Sequence, residues 1–169
     1  MSTDNSSVGF AADTRIVTRT TKGAPIHIYT ECNAFGQTVD CYALTFEGDI
    51  SSTQVNTVRM QFNQKLLRLT VNDDIDVLLG PQQMLYNQHG VCYRAEELRA
   101  GQHLGGITPQ MLANLRMGFD AKLHQCTGYF VVTNLCEVAE VHDTYSLEAP
   151  RLGNYVLNCG LIARATAVP

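Results

Sequence analysis

The reactive side chains of this 169-residue sequence exclude most catalytic designs by their spacing. Its six cysteines (Cys32, Cys41, Cys92, Cys126, Cys136 and Cys159) contain no Cys-x-x-Cys pair. Its five histidines (His27, His89, His103, His124 and His142) show no His-x-His or His-x-x-x-His spacing, so no metal centre is expected. Glu96 and Glu97 are adjacent carboxylates, but neighbours on a strand or helix face different ways, which makes them a solvated face rather than an acid–base couple. There is no Gly-x-Ser-x-Gly and no nucleotide-binding glycine loop. The closing stretch is different in kind. Glu140-Val-His-Asp-Thr-Tyr-Ser-Leu-Glu148 and Asn154-Tyr-Val-Leu-Asn-Cys-Gly-Leu-Ile-Ala-Arg-Ala-Thr166 read as two apolar strands joined by Ala149-Pro-Arg-Leu-Gly153, the second broken at Gly160. The second runs straight into a tail of Thr166-Ala-Val-Pro169. Such a junction makes sense when it is itself the substrate.

A small β domain must hold these residues. Hydrophobic residues make up 45% and charged residues 17%, the composition of one globular domain with a real core. Net charge is −4 with Lys and Arg scattered, so no basic stripe argues for nucleic acid. No apolar run approaches the roughly 18–20 residues that span a membrane. The opening Met1-Ser-Thr-Asp-Asn-Ser-Ser-Val8 lacks the regions of a signal peptide and reads as a flexible leader. The expectation is a cytoplasmic monomer whose cysteines are buried thiols.

Phe10–Arg19 and Ala24–Tyr29 form an expected hairpin turning at Lys22-Gly23. Val39–Phe46, a turn at Glu47-Gly-Asp49, and Gln54–Phe62 begin a meander. Leu66–Val71, Asn72-Asp-Asp74 and Ile75–Leu79 continue it as a second hairpin. Thr108-Pro109 opens the one convincing helix, with Met111, Leu112, Leu115 and Phe119 as its apolar face. Tyr129–Thr133 and Leu135–Val138 return to strand and lead into the closing stretch.

Three stretches in this order resemble the motifs of inteins. Gly9-Phe-Ala-Ala-Asp-Thr14 resembles their opening, a nucleophile followed by an apolar residue, two small ones and Asp-Thr. Gly80-Pro-Gln-Gln83 with Ala95-Glu-Glu-Leu-Arg-Ala-Gly101 resembles their Thr-Pro-x-His strand and Ala-x-x-Leu-x-x-Gly element. Val141-His-Asp143, Gly153-Asn-Tyr155 and Gly160–Thr166 resemble their closing Val-Tyr-Asp, His-Asn-Tyr and His-Asn before a hydroxyl or thiol residue. The resemblance implies an all-β fold, the Hint/intein horseshoe of pseudo-two-fold β hairpins with one short helix. About thirty residues (105–136) stand where a homing endonuclease can be inserted, which implies a minimal form; 105–128 is where a natural break would fall.

The implied activity is self-catalysed protein splicing, single-turnover and without cofactor: an N-terminal acyl shift, transesterification to Thr166 and cyclisation of a terminal Asn. The domain would span 9–165, with residues 1–8 and 166–169 as extein-like flanks. Its partners would be those flanks, or a complementary fragment where the parent is split. Gly9 occupies the nucleophile position, Gly80 that of the Thr and Gln83 that of the His. Gln83 is expected to donate a hydrogen bond to the scissile carbonyl, though it cannot shuttle protons. Asp143 matches the Asp that handles the branched intermediate, and His142 is the remaining imidazole nearby. Arg164 replaces the penultimate His, where a cation stabilises developing negative charge. Ala165 stands in the terminal Asn position and Thr166 is the second nucleophile. With no nucleophile at Gly9 and no cyclising side chain at Ala165, the resemblance implies an inactivated precursor. Two other readings stay open: an intein-like domain that cleaves without ligating, and a β-barrel interaction module with no chemistry.

Overall fold

A computed structural model describes residues 7–18, 24–25, 39–45, 47–55, 57–123, 128–149 and 151–165. β1 (Phe10–Ala11) is only two residues long, β2 (Arg15–Ile16) pairs with β3 (Ala24–Pro25), and β4 (Val39–Leu44) pairs with β5 (Ile50–Val55). The backbone of the molecule is a ribbon of two long antiparallel strands, β6 (Thr57–Val71) and β11 (Phe130–Glu148). β7 (Ile75–Leu79) folds back on β6 across Asn72–Asp74, where Asn72 and Asp73 take positive φ (55° and 62°), the backbone sense that matches strand twist in a tight hairpin.

β1 matters beyond its length. Phe10 pairs with Leu79 of β7 on one side and Tyr145 of β11 on the other, so the sheet β1-β7-β6-β11 closes on itself at that residue. Phe10 is fully buried and meets Tyr155 edge to face, with ring centroids 6.5 Å apart. Burying such a side chain stabilises the fold by about 1.5–3 kcal/mol, which fixes the seam by packing as well as by the ladder.

The second sheet has the order β12-β13-β8-β9, from β8 (Met84–Tyr86), β9 (Cys92–Arg94), β12 (Asn154–Val156) and β13 (Ile162–Arg164). Its two hairpins repeat one another. Asn87 N–H donates to Val91 C=O at 2.8 Å in the first, and Leu157 N–H to Leu161 C=O at 2.8 Å in the second, each turn ending on a glycine, Gly90 or Gly160. This is the pseudo-two-fold arrangement expected from the sequence. β10 (His103–Leu104) adds to the far end of β11. The single described α-helix, α1 (Pro109–Arg116), starts as expected: Thr108 Oγ1 accepts the Met111 N–H at 3.2 Å and Pro109 sits in the first turn.

Several expectations need correction. Phe10–Arg19 is not one strand: Thr14 N–H donates to Ala11 C=O in a turn, which sends β1 into the barrel and only β2 into the pairing with β3. Lys22-Gly23 and the stretch after Pro25 lie outside the described residues. The segments 129–133, 135–138 and 140–148 merge into β11, whose register shifts three times instead of breaking. The closing stretch is a hairpin of its own, β12 against β13, and does not pair with β11. Phe119 lies beyond the helix and is 60% exposed, and of the four described free cysteines only Cys41 is fully buried while Cys136 is exposed. Among the described residues no helix is long and apolar enough to cross a membrane.

Candidate functional site

The segment at Gly9, expected from sequence to be the upstream junction, is positioned by two close backbone approaches. Gly9, just before the barrel seam, has φ +98°. Its N–H donates to Gln83 Oε1 at 2.9 Å, and its C=O accepts from Gly80 N–H at 2.9 Å. A Cβ on Gly9 would lie 2.6 Å from the Tyr145 carbonyl oxygen, and one on Gly80 would run into the carbonyl oxygen of Ser7. Both glycines are required by space: at position 9 the left-handed backbone adds its own penalty for any other residue.

Gln83 joins this junction to the other end of the chain. It ends a tight turn in which its N–H donates to Gly80 C=O, and it is 2% exposed. Its Nε2 donates to the Arg164 and Met84 carbonyls at 3.0 Å each, while Oε1 takes the Gly9 N–H. One acceptor and two donor hydrogens of a single amide are therefore all used. The surroundings fix which way the amide points, because one neighbour is a donor and two are acceptors.

At the downstream junction Ala165 N–H donates to Gly153 C=O at 2.8 Å, and Arg164 stands opposite Asn154 in the ladder. Asn154 is buried and anchors this hairpin to β4: Oδ1 accepts Leu44 N–H at 2.7 Å, and Nδ2 donates to the Leu44 and Leu152 carbonyls at 2.9 and 3.0 Å. Residues 9 and 164 thus meet through one buried amide. The scaffold brings its own two ends to a single point.

No protein-family model matches this chain, and no curated protein matches it. Solved structures do match. The Ssp DnaB mini-intein variant M86 superposes with a TM-score of 0.73 at 17% identity, over 96% of this chain and 97% of that one. A DnaB intein from Synechocystis sp. PCC 6803 gives 0.71 at 16% identity, covering 95% and 100%. The fold is that of the inteins. A bacterial intein-like domain from Clostridium thermocellum shares it as well, at 0.67 and 15% identity over 94% and 99%.

Within this intein fold the site residues expected from sequence divide into two groups. Gly9, Gly80, Gln83 and Arg164 come together, Arg164 through its carbonyl, while Ala165, next along the chain, bonds to Gly153. The Arg164 guanidinium lies against β8 instead, with Nη1 3.5 Å from Met84 Sδ. There it pulls down the Tyr86 phenol, which burial and then the neighbouring Cys92 thiol push up to about 12. Gln83 does not take the expected role of donor to the upstream carbonyl: it accepts from the upstream N–H and donates to the downstream strand.

His142 and Asp143 lie on β11 beside the upstream segment without bonding to it: Thr144, next to Asp143, is the ladder partner of Ala11, and Lys65, whose carbonyl takes the Ser7 hydroxyl, pairs with Val141, next to His142. His142 Nε2 is 3.9 Å from a Glu140 carboxylate oxygen and has no hydrogen-bond partner among the described residues. Asp143 Oδ1 accepts the N–H of Asn63, a residue at φ 51°, and so secures the irregular pairing of β6 with β11. Thr166 lies outside the described residues. Among the described residues no group of three His, Cys, Asp or Glu side chains is placed to hold a metal ion. Sequence reasoning placed Asn154 in the closing motif but gave it no role. It missed Gln61, which accepts Val8 N–H at 3.0 Å and looks in sequence like any polar position of an alternating strand.

Proposed function

We propose that this chain is a splicing-type autoprocessing domain of the intein kind, spanning residues 9–165 and held as an intact precursor. The observation that carries this reading is the Gln83 amide, bonded at once to the Gly9 N–H and the Arg164 C=O. A fold that acts on its own flanks needs both junctions at one point, and an interaction module has no such need. Splicing of this kind begins with attack on the carbonyl before residue 9, continues by transfer to a hydroxyl such as that of Thr166, and ends when a terminal Asn cyclises. Gly9 offers no attacking atom and Ala165 no side-chain amide, so the chain as it stands keeps its flanks.

The test places the full chain between two foreign proteins and reads intact mass. The unaltered chain stays whole. In Ala165→Asn the new side-chain nitrogen attacks its own backbone carbonyl carbon, the bond to residue 166 breaks, and the downstream protein leaves with a free amine while a succinimide stays behind. Folded Ala165→Asn protein that releases nothing over days refutes the reading. The Gly9→Cys, Ala165→Asn double variant is expected to release the downstream flank but to ligate poorly, because a Cβ at residue 9 meets Tyr145 backbone at 2.6 Å.

One observation favours a second reading, a β interaction module without chemistry. Gly9 is held in a conformation and a space suited to glycine alone, so position 9 is built without a side chain and not merely stripped of one. Complete inertness of Ala165→Asn is the outcome that reading requires.

A further inference from the structure

The grip on the chain extends upstream of Gly9, past the boundary set by motif. Ser7 is 1% exposed, although it sits two residues outside the domain as read from sequence. Its C=O accepts the Gln82 N–H at 3.0 Å and its Oγ donates to Lys65 C=O at 3.2 Å. Val8 N–H donates to Gln61 Oε1 at 3.0 Å, and Gly9 is bonded to Gln83 and Gly80 as described. Three successive residues are thus held almost wholly through their backbone, as in an extended peptide laid in a groove. Backbone bonding gives affinity without regard to side chain, so selectivity must come from space. That space is closed at residue 7, which is buried, and half open at Val8.

We propose that Gln61, Gly80, Gln82 and Gln83 form a peptide subsite that selects the upstream flank, demanding a small residue at position 7 and tolerating change at position 8. The ligand class is an extended peptide segment, small at the position two before the glycine and read otherwise through its amides. Gly80 admits the backbone of the flank, because its missing side chain is the room that the Ser7 carbonyl occupies, and the burial of Ser7 at 1% exposure is what limits side-chain size at position 7. The inference rests on Gly9 being the upstream junction of the proposed function. Its test reads no cleavage, so an inert Ala165→Asn leaves it standing, and its own failure leaves the cleavage test untouched.

Hydrogen exchange of the Gly9 amide in the full chain decides it, with the amides of the β6–β7 hairpin as the internal reference. Ser7→Leu and Gly80→Ala are each expected to lower Gly9 protection at least tenfold while the hairpin amides change less than twofold. Val8→Thr should leave both within twofold, and Ser7→Ala, which loses only the Lys65 bond, should cost Gly9 less than fivefold. The proposal is overturned if Ser7→Leu leaves Gly9 protection intact, or if Val8→Thr lowers it as much as Ser7→Leu does. Should Ser7→Leu not fold, Ser7→Val is read against Val8→Thr by the same criterion.

Discussion

Replacing Gly9 by alanine isolates the feature that most constrains what this domain can do. Two costs are expected, and a second glycine separates them. Gly48 has φ +86° with nothing within 4 Å of where a methyl group would stand, so Gly48→Ala carries only the penalty of a left-handed backbone, about 1–2 kcal/mol. Gly9→Ala carries the same backbone term at φ +98° and adds contacts of 2.6 Å to the Tyr145 oxygen and 2.9 Å to its carbonyl carbon. Neither atom can retreat cheaply, since Tyr145 is the ladder partner of Phe10 at the barrel seam. Overpacking of a rigid interior costs about 1–3 kcal/mol. Gly9→Ala should therefore destabilise by about 2–5 kcal/mol and exceed Gly48→Ala by at least about 1 kcal/mol. The gain from a stiffer unfolded chain is common to both and cancels. Urea denaturation of the two variants, compared at equal slope, supplies the difference. Equal midpoints for the two would refute the steric argument, and with it the expectation that a cysteine at position 9 is poorly accommodated.

Three further outcomes follow from other contacts. Gln83→Leu leaves the Gly9 N–H and the Arg164 C=O without their partner and should cost about 2–6 kcal/mol in the same denaturation assay, at about 1–3 kcal/mol for each buried orphan. Asn154→Ala removes three bonds that tie β12 to Leu44 and Leu152, so a loss of about 2–3 kcal/mol is expected, with the β4–β5 pair losing exchange protection first. The third concerns alkaline pH. Burial, and then Asp40, push the Cys41 thiol from 9.0 up to about 12, so the folded chain keeps a proton that the unfolded chain gives up. Stability from this group is complete below pH 9 and falls as pH rises toward 12, by about 2–3 kcal/mol at pH 11; Cys41→Ala should flatten that part of the profile.

What the sequence disclosed, it disclosed through local chemistry. Thr108-Pro109 marked the helix start because a hydroxyl cap and a ring without an N–H leave few alternatives. Asn72-Asp73-Asp74 marked the β6–β7 turn because amide and carboxylate side chains tolerate positive φ. Motif order alone singled out Gly9, Gly80, Gln83 and Arg164, and hydrogen bonds bring these four together. What stayed hidden depends on distant partners. Gln83 in sequence is one glutamine beside another, and only the buried meeting of β1, β8 and β13 decides that this one spans two junctions. β1 read as part of a ten-residue strand because β-branched residues follow it, whereas the turn at Ala12-Asp13 is set by the barrel that Phe10 closes. His142 and Asp143 lie on β11 within three residues of the seam at Tyr145, but their partners across the ribbon, Gln64 and Asn63, come from a strand about eighty residues earlier that sequence spacing does not point to.

The bridge through Gln83 also fixes when the domain becomes whole. Its two contacts span 74 and 81 residues of chain, and the last of them reaches Arg164. A ribosome that has released only the first half of the domain has delivered Gly9, Gly80 and Gln83 but not the strand that completes their arrangement. Contacts this remote in sequence form late in folding, after the loop-closure entropy of everything between them has been overcome. Gly9 and Arg164 are therefore brought face to face only once synthesis has passed β13, so the timing of assembly is written into the topology.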